Sequence, residues 1–588
     1  MKNLKKIRVT KVLFRLYKNL NKKRQLQFYF ILILMISSGI LDSITVASLM
    51  PLIGAITNSK NMMDDNFIYT FLENLNIANS SNFALIMVLI FCLFCLLSGI
   101  IRILNIYCST RYSSLITNDL TAKVYSRLIY KDYDFHINTN SSKFVASVTN
   151  YMNSIFISFT NLFQLLSCLA LTIILIGTLL YINFKVTFYL TLIILIFYLF
   201  ISKISKNRVA KNSFLIAKTN ASQIKSIQEV FGSIRDVLIN KSQYLFIKNY
   251  VAEDHLFRIS QAENYFLGTF PKYLLETFGL IILSIFSYSS FINNSSFNSF
   301  QFLALLAFGA QKLLPAIQQL FSNWTSILSN YTAISNILDI LSEPFENLSL
   351  KKSKKIVKLD FNNLKFSNVS FSYDKKNKVL NEINLEFKKG DKIVFIGETG
   401  SGKSTLIDLL VGLLKPVNGE ILVNNKNLHK GKFKISAWHD LIAHVPQSIY
   451  LQDKSIKENI AFGIPRQSIN MSQIIRAAKV SLIHDFIMSL PNQYETRVGE
   501  RGTFLSGGQL QRIGIARAFY KDSSIIVFDE ATSALDNKTE EKLLKNIYEN
   551  FKEKTIFVIS HNLSTLKFSD KVYDISEGSI YEVSRNSH

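Results

Sequence analysis

Eight residues in the C-terminal third of the chain have the types and spacing of a phosphate-binding loop. They read Gly397-Glu398-Thr399-Gly400-Ser401-Gly402-Lys403-Ser404 and fit the pattern G-x-x-x-x-G-K-[ST]. The glycines allow backbone N–H groups to turn toward an anion, the lysine adds a positive charge, and the final serine hydroxyl can ligate Mg²⁺. An apolar run over 392–396 precedes the loop and a helical run from Thr405 to Leu414 follows it. We therefore predict a strand, a loop and a helix around a bound phosphate.

A second apolar run, Ile525 to Phe528, ends in two carboxylates, Asp529 and Glu530. Such a run is typical of a buried parallel strand, and ligands of parallel sheets collect at the carboxyl ends of the strands. An acidic pair at a strand end is usually only a solvated turn, but the upstream loop favours a site. We expect Asp529 to hold the metal and Glu530 to orient or deprotonate an attacking water.

Between these two motifs lies Leu505-Ser506-Gly507-Gly508-Gln509. We predict a helix starting near Gln509. Ser506 and the glycine amides would then present N–H groups and the positive end of a helix dipole to a phosphate.

Together these motifs resemble the ATP-binding cassette (ABC) family, from about residue 358 to the end of the sequence. The resemblance implies that ATP and Mg²⁺ are bound, with the metal near Ser404, Gln447 and Asp529. It further implies that Tyr373 stacks on adenine, that Gln447 and His561 act with Glu530 in hydrolysis, and that Asp536, in the loop after the acidic strand, contacts the nucleotide. A single tyrosine or histidine more often has only a packing role, so these positions support the resemblance only when they are taken together.

In that family the signature around Ser506 in one domain faces the phosphate loop of another domain. The chain carries one cassette. The resemblance therefore implies a homodimer with two sites, and the glutamate at position 530 implies that both can hydrolyse ATP.

The N-terminal half is too apolar for a soluble lobe, since the 588-residue chain is 48% hydrophobic and 12% aromatic. Six stretches can approach the ~20 residues that a bilayer span needs. They are 28–56, 83–108, 155–182, 186–204, 274–291 and 300–324. We expect an all-α membrane domain of six helices over 26–340, preceded by an elbow helix and tail over 1–25. A linker over 341–357 and an α/β P-loop nucleotide-binding domain with a helical subdomain over 358–588 would follow.

Charge predicts the orientation. Residues 1–25 are rich in lysine and arginine and contain no acidic residue, which favours a cytoplasmic N-terminus and cassette at the cell (inner) membrane. The apolar run that follows is too long for a signal peptide. The net charge of +24 fits contact with anionic lipids, and no nucleic-acid motif is present. The four cysteines all lie in apolar spans and are expected to be packing residues without disulfides.

Two polar segments, 109–154 and 205–267, interrupt the apolar spans. The resemblance makes them cytoplasmic extensions of the membrane helices, with coupling turns near 133–135 and 242–244. The stretch Gly499-Glu500-Arg501-Gly502 resembles a short loop that exporters of this family carry before the signature.

Charged residues inside apolar spans are expensive and therefore candidates for function. At ~1.5 Å per residue, Arg102, Lys272 and Lys312 lie roughly 28, 30 and 20 Å below the outer ends of their spans. Three cations at this depth suit a substrate with an anionic head, such as a phosphate or pyrophosphate. Alternatively, Arg102 and Lys272 snorkel to headgroups. Glu276 can neutralise Lys272, and Asp42 can pair with any of the three.

The segment 67–75 has apolar residues on one helical face. We expect either a cap on the helix bundle or a surface for a lipid tail.

Across the whole chain the sequence is similar to lipid-linked oligosaccharide flippases of the PglK type. The similarity is carried by 48–51, 102–105, 271–276 and 445–451, although those flippases tend to have arginine where this chain has Lys272 and Lys312. The resemblance implies an ATP-driven flippase for an amphiphile such as a polyprenyl-phosphate glycolipid. The alternatives are an exporter of drugs, peptides or ordinary lipids, and an ATP-gated channel or regulator.

Overall fold

The computed structural model describes residues 9–49, 52–53, 56, 83–182, 184–292, 298–343, 359–374, 378–430, 434–560, 566–567 and 569–583. His561, the predicted helix over 67–75 and nearly all of the predicted linker lie outside these residues. The chain divides into two compact units, Met1–Lys131 with Phe135–Glu346 and Asp132–Asp134 with Asn347–His588. The domain limits predicted from the sequence remain predictions, since no comparison tests them.

The first unit is helical throughout its described residues, as the apolar spans predicted. Its helices are α1 (Val9–Lys18), α2 (Lys22–Ala47), α3 (Phe83–Ile129), α4 (Tyr133–Asn138), α5 (Ser141–Val148), α6 (Asn150–Ile182), α7 (Phe184–Gly232), α8 (Ile234–Ile239), α9 (Gln243–Ile292), α10 (Asn298–Ser329) and α11 (Tyr331–Ser342). Helix α1 falls where the elbow helix was expected. The predicted coupling turns fall at α4 and at the break between α8 and α9.

Four helical segments of the described residues are long and apolar enough to cross a membrane. They are Lys22–Ala47, Ala84–Ile129, Ser141–Tyr181 and Thr187–Gly232. The prediction of a helical N-terminal domain with spans long and apolar enough for a membrane is therefore confirmed. The predicted fifth and sixth spans lie within α9 and α10, which are not among these four, so the count of six remains a prediction.

Small residues bring α2 close to its neighbour α6. A Cβ at Gly39 would lie 3.2 Å from the backbone nitrogen of Leu171 on α6. Ser38 and Ser43 on α2 are also buried. Small side chains let helix backbones approach each other in a membrane, and here the close packing buries the polar end of α2 that carries Asp42.

Two long helices contain an internal proline, Pro271 in α9 and Pro315 in α10. Each proline removes one backbone hydrogen bond from its helix. Each also lies within three residues of a lysine predicted to meet substrate, Lys272 and Lys312.

The second unit contains two sheets and a set of helices. Its strands are β1 (Asn363–Phe371), β2 (Leu380–Lys388), β3 (Lys392–Gly397), β4 (Asn418–Val423), β5 (Lys426–Asn427), β6 (Ile442–Val445), β7 (Ile525–Asp529), β8 (Thr555–Ile559), β9 (Lys571–Ser576) and β10 (Ser579–Val583). Its helices of five or more residues are α12 (Lys403–Leu410), α13 (Ile435–Leu441), α14 (Ile456–Ile460), α15 (Met471–Val480), α16 (His484–Ser489), α17 (Gly507–Tyr520) and α18 (Asn537–Asn550).

The larger sheet has the order β10-β9-β3-β8-β7-β6, and all neighbouring pairs except β10 with β9 are parallel. Its central strands are apolar on both faces because both faces are covered, which explains the continuous apolar runs in the sequence. A smaller antiparallel sheet has the order β2-β1-β4-β5. The parallel order brings the carboxyl ends of β3 and β7, on either side of β8, to one edge.

Candidate functional site

The loop from Gly397 to Ser404 connects β3 to α12, as predicted. Its conformation depends on glycine, because Gly397 has φ of 143° and a Cβ there would lie 2.4 Å from the carbonyl oxygen of Ile575. Gly402 caps α12 in the left-handed region, with φ of 106°. Glu398, Thr399 and Gly400 are exposed. The loop thus presents backbone and helix N–H groups at the surface, where an anion can reach them.

Lys403 folds back across this loop. Its Nζ donates hydrogen bonds of 2.7 Å to the carbonyl oxygens of Gly397 and of Glu398. Burial lowers the pKa of the lysine, and the nearby carboxylates of Glu530 and Asp529 partly oppose that shift. The Ser401 hydroxyl is buried without a hydrogen-bond partner among the described residues, while Ser404 is exposed. The ammonium and the loop can therefore surround a phosphate.

Asp529 ends β7 as predicted, one strand away from β3. It is 9% exposed, and its Oδ1 is buried with no hydrogen-bond partner in the described part of the chain. Burial raises the pKa of this carboxyl to about 6, and the charge of Glu530 adds to the shift. A buried oxygen donor without a partner suits a hard cation such as Mg²⁺ or its water shell. The site therefore fits the metal that the sequence implied.

Glu530 follows in the left-handed region, with φ of 46°. Its backbone N–H donates to the carbonyl oxygen of Ile559 at 3.2 Å, which fixes the residue against β8. Gln447, two residues after β6, donates from Nε2 to Glu530 Oε2 at 2.6 Å. Two of the predicted catalytic side chains are therefore in direct contact. His561, the third, lies outside the described residues.

Tyr373 is 49% exposed, and its ring packs edge-on against Phe371 with centroids 5.0 Å apart. Its hydroxyl lies 3.2 Å from Thr405 Oγ1 on α12. This contact places the aromatic ring beside the phosphate loop with part of its surface open, as adenine stacking requires.

The signature residues form the start of α17, which begins at Gly507 rather than near Gln509. Ser506 is the N-cap: its Oγ accepts from the Gln509 N–H at 3.3 Å, and its own N–H donates to Gln509 Oε1 at 2.8 Å. This capping box explains why the helix starts two residues earlier than the glycines suggested. The helix end at Ser506, Gly507 and Gly508 is consequently rigid.

The segment after Glu530 packs against α17. A Cβ at Gly508 would lie 3.1 Å from the carbonyl oxygen of Ala534. Asp536 caps α18, where its Oδ1 accepts from the Thr539 N–H at 2.9 Å and these hydrogen bonds lower its pKa. Asp536 therefore has a structural role within the chain in addition to the nucleotide contact predicted for it.

Comparison with known proteins decides the class of this site. The family model described as ABC transporter matches residues 380–533. Residues 380–533 therefore form an ATP-binding domain of the ABC transporter type. The match confirms the predicted nucleotide-binding domain, and the phosphate loop and both acidic residues lie inside the matched region.

Two relatives and one solved structure extend the comparison. A candidate multidrug export ATP-binding/permease protein of Bacillus subtilis is 39% identical over 37% of this chain and 37% of its own length. The ATP-dependent lipid A-core flippase of Pseudoalteromonas translucida is 36% identical over 51% of each chain. A bacterial Atm1-family ABC exporter with ATP bound has a TM-score of 0.77 at 20% identity, covering 96% of this chain and 95% of that one.

These alignments establish different things. The structural match shows that the chain has the fold of an ABC exporter. The chain spans 37% and 51% of the lengths of the two named relatives. The substrates in their names are therefore statements about those proteins alone. The finer resemblance to oligosaccharide flippases is not tested by any of the three.

In the helical unit, two of the three predicted substrate cations lie together. Arg102 donates to both carboxylate oxygens of Asp42 at 2.7 Å, and Lys312 Nζ lies 3.3 Å from Asp42 Oδ1. Ser98 Oγ also donates to Oδ1, at 2.8 Å. We call Asp42, Ser98, Arg102 and Lys312 the Asp42 cluster. Asp42 thus joins α2 to α3 and α10.

Lys272, the third cation, has a different partner. Its Nζ lies 3.9 Å from Glu276 on the next turn of α9, as the spacing suggested. Its side chain is 40% exposed and that of Glu276 is 49% exposed.

One residue of the ATP-binding domain was missed by sequence reasoning. Gln511 on α17 is 5% exposed, and its Nε2 donates to Ser533 Oγ at 3.1 Å. Its Oε1 accepts from the Ala534 N–H at 3.0 Å. Gln511 therefore holds the loop that leads to Asp536. Its position two residues after the signature was the available signal.

Proposed function

We propose that this protein is a homodimeric exporter that uses ATP hydrolysis to move an amphiphile with an anionic head out of the cytoplasmic leaflet. The substrate class that fits best is a lipid-linked oligosaccharide or a similar polyprenyl-phosphate glycolipid. The proposal is carried by two features that occur together in an exporter fold. One is the ATP-binding domain, and the other is the buried carboxylate of Asp42 paired with the partly exposed cations Arg102 and Lys312.

For the chemical step, we assign ATP to the loop Gly397–Ser404 with Thr405, and adenine to Tyr373. Lys403 would exchange its two bonds to loop carbonyls for bonds to phosphate oxygens. Mg²⁺, held by Ser404, Gln447 and Asp529, would neutralise charge on the phosphates. Glu530 would orient or deprotonate the attacking water, with His561 close to the reacting phosphate.

For the assembly, we assign the rigid helix end at Ser506, Gly507, Gly508 and Gln509 to the ATP bound by a second copy of the chain. A capped helix N-terminus with two small residues offers N–H groups and a positive dipole end to a phosphate. Each copy supplies one phosphate loop and one such helix end, so two copies would form two equivalent sites.

For the cargo, support comes from charge and from a relative. The side chains of Arg102 and Lys312 are 46% and 30% exposed, and we assign the helices that carry them to the membrane. Partly exposed cations inside a membrane domain suit an anionic headgroup. The Pseudoalteromonas relative is named as an ATP-dependent lipid A-core flippase, which favours a lipid as cargo.

The Bacillus relative supports a second candidate, export of drugs. Both candidates require turnover of ATP, which separates them from an ATP-gated channel or regulator. A Glu530→Gln variant that still conducts ions with bound ATP would favour gating.

The test is ATP-dependent movement of a fluorescent lipid-linked oligosaccharide in proteoliposomes. We expect transfer with the intact protein and none with Glu530→Gln, which serves as the matched control for binding without hydrolysis. Efflux of a hydrophobic dye in the same vesicles, without movement of the lipid, would replace the lipid substrate by drugs. Absence of phosphate release by the intact protein would overturn the proposal as a whole.

A further inference from the structure

The charged side chains of the Asp42 cluster differ in how far they are exposed. The Asp42 side chain is 0% exposed, whereas that of Arg102 is 46% exposed and that of Lys312 is 30% exposed. An incoming molecule therefore meets the outer faces of the two cations and does not reach the carboxylate. We expect the Asp42 side chain to keep its position behind Arg102 and Lys312 when the anionic headgroup of a substrate binds.

The carboxylate is fully occupied from within the chain. Its Oδ1 accepts from Ser98, Arg102 and Lys312, and its Oδ2 accepts a second bond from Arg102. Replacing these four bonds with one headgroup would leave a buried, unpaired carboxylate, which is costly. The bound head must accordingly share the cations with Asp42.

The cluster consequently offers one net positive charge to a ligand, because Asp42 cancels one of its two cations. Lys272 adds nothing to this number, since Glu276 lies 3.9 Å from it. The sequence alone had indicated three cations, with Glu276 as a partner for Lys272 and Asp42 as a partner for any of them. The structure reduces the charge available at the Asp42 cluster to one.

Charges in a site of low polarity are stable only when they are balanced. A head with one negative charge balances the cluster. A head with two leaves an excess negative charge, and a zwitterionic head leaves the positive charge unpaired. A phosphodiester carries one negative charge, while a phosphate monoester carries about 1.5 to 2 at neutral pH.

We infer that Asp42 is a specificity-determining residue that sets the headgroup charge accepted by the exporter at minus one, the charge of a phosphodiester. This inference rests on the proposed function, since it requires that the Asp42 cluster meets the substrate. It assigns Asp42 and Ser98 to positioning Arg102 and Lys312, and it narrows the cargo from any anionic amphiphile to a phosphodiester-headed one.

The experiment is a charge series in the full-length dimer, reconstituted in nanodiscs of neutral lipid. Asp42→Asn raises the cluster charge to two, the unchanged protein has one, and Arg102→Gln or Lys312→Gln lowers it to zero. Each protein is titrated with three dioctanoyl lipids that share their tails and carry phosphocholine, phosphoglycerol or phosphate monoester heads. The readout is the concentration that half-maximally stimulates ATP hydrolysis, compared between heads within one protein.

We expect the preferred headgroup to change with the net charge of the Asp42 cluster. The unchanged protein prefers phosphoglycerol, Asp42→Asn prefers the monoester, and the two glutamine variants prefer phosphocholine, each by roughly tenfold in half-maximal concentration. Glu229→Gln alters an exposed charge of α7 that pairs with Lys225 outside the cluster, and it should retain the phosphoglycerol preference. Loss of stability alone would weaken response to all three heads equally and would not reorder them.

The same order of heads in every variant would overturn the inference, and so would an equal reordering by Glu229→Gln. Should Asp42→Asn fail to fold, the comparison of the unchanged protein with Arg102→Gln and Lys312→Gln still decides the matter. Lack of any ATP hydrolysis by the unchanged protein would instead contradict the proposed function. An unchanged protein that hydrolyses ATP but is indifferent to head charge would contradict only the role of Asp42.

Discussion

Gln447 and Glu530 are joined by a hydrogen bond of 2.6 Å from the amide Nε2 to the carboxylate Oε2. The glutamate is also fixed through its backbone, whose N–H donates to Ile559 on β8. Because Glu530 is held by hydrogen bonds at its backbone and at its carboxylate, its side chain cannot rotate freely toward a water molecule. The orientation of Gln447 therefore controls where the proposed base points.

Removing the charge of Glu530 should stop hydrolysis while leaving nucleotide binding intact. Glu530→Gln keeps a side-chain oxygen that can accept from Gln447 but cannot take a proton, so we expect phosphate release to fall by about 10²-fold or more. Binding of a fluorescent ATP analogue should change little. Glu577→Gln, a similar change at a turn between β9 and β10, is the control and should keep full activity. A Glu530→Gln protein with normal turnover would exclude Glu530 as the base.

Lys403 should be required for nucleotide binding. Its two bonds to loop carbonyls show that the ammonium already lies across the phosphate loop. Lys403→Ala removes the charge that would meet the phosphates, and we expect affinity for ATP to fall by about tenfold or more. Equilibrium binding of a labelled nucleotide measures this. Lys426→Ala, on the exposed strand β5, should bind as the unchanged protein does, and equal losses in the two variants would refute a specific role.

Hydrolysis should decline as the pH falls through about 6. Burial raises the pKa of Asp529 to about 6, and the protonated carboxyl cannot hold a metal. Because Mg²⁺ competes with the proton, a higher Mg²⁺ concentration should move the midpoint to lower pH. Initial rates from pH 5 to 8 at two Mg²⁺ concentrations provide the measurement. A midpoint that does not respond to Mg²⁺ would mean that another group is titrating.

The stability of the nucleotide-free protein should show the opposite slope in acid. A carboxyl with a raised pKa binds its proton more tightly in the folded state than in the unfolded state. For Asp529 and Asp408, both raised from 3.8 to about 6, folding is therefore favoured below pH 4 and loses that contribution as the pH rises to 6. In thermal unfolding of the Asp408→Asn variant, this part of the pH dependence should be smaller.

Gln511 should affect both stability and turnover. Gln511→Leu leaves the Ala534 N–H without its acceptor, which costs about 1–3 kcal/mol for a buried donor. Ser533→Ala removes only the contact of Gln511 Nε2 with the Ser533 hydroxyl and leaves the Ala534 contact in place. We expect the free energy of unfolding to fall more for Gln511→Leu than for Ser533→Ala, and the rate of ATP hydrolysis to follow the same order. Equal effects of the two variants would contradict a role through the Ala534 contact.

A side chain at Gly514 should separate α17 from the segment that carries Gln447. A Cβ there would lie 2.3 Å from Ile449 Cδ1, and Ile449 is only 8% exposed. Gly514→Ala should therefore destabilise the ATP-binding domain by about 1–3 kcal/mol. Trimming the neighbour in Gly514→Ala/Ile449→Ala should recover part of the loss in thermal unfolding. No recovery would show that the damage lies elsewhere.

The ATP site was predictable because its signals are local. The loop at 397–404 and the acidic end of β7 are each encoded by a few consecutive residues whose types determine their conformation. For Gln511 the only local signal was its position two residues after the signature. Its partners Ser533 and Ala534 are more than twenty positions away and are recognised only in the folded chain. The start of α17 was misplaced because a serine and a glutamine form a reciprocal cap around two glycines.

The charged residues of the helical unit show which contacts could not be predicted from the sequence. Depth along each helix identified Arg102 and Lys312, and Asp42 was named as a partner for any cation. The pairing itself depends on how α2, α3 and α10 pack, and Asp42 lies 60 and 270 positions from its two partners. Sequence spacing identifies only neighbours on one helix, such as Lys272 and Glu276.

Pro315 follows Lys312 by three positions within α10. A proline has no backbone N–H, so the carbonyl of Gln311 lacks its usual helical hydrogen bond. Sharp kinks in helices occur mostly at prolines. A kink of α10 at Pro315 would move the Lys312 ammonium relative to Asp42 on α2, so the geometry of the Asp42 cluster depends on the curvature of α10.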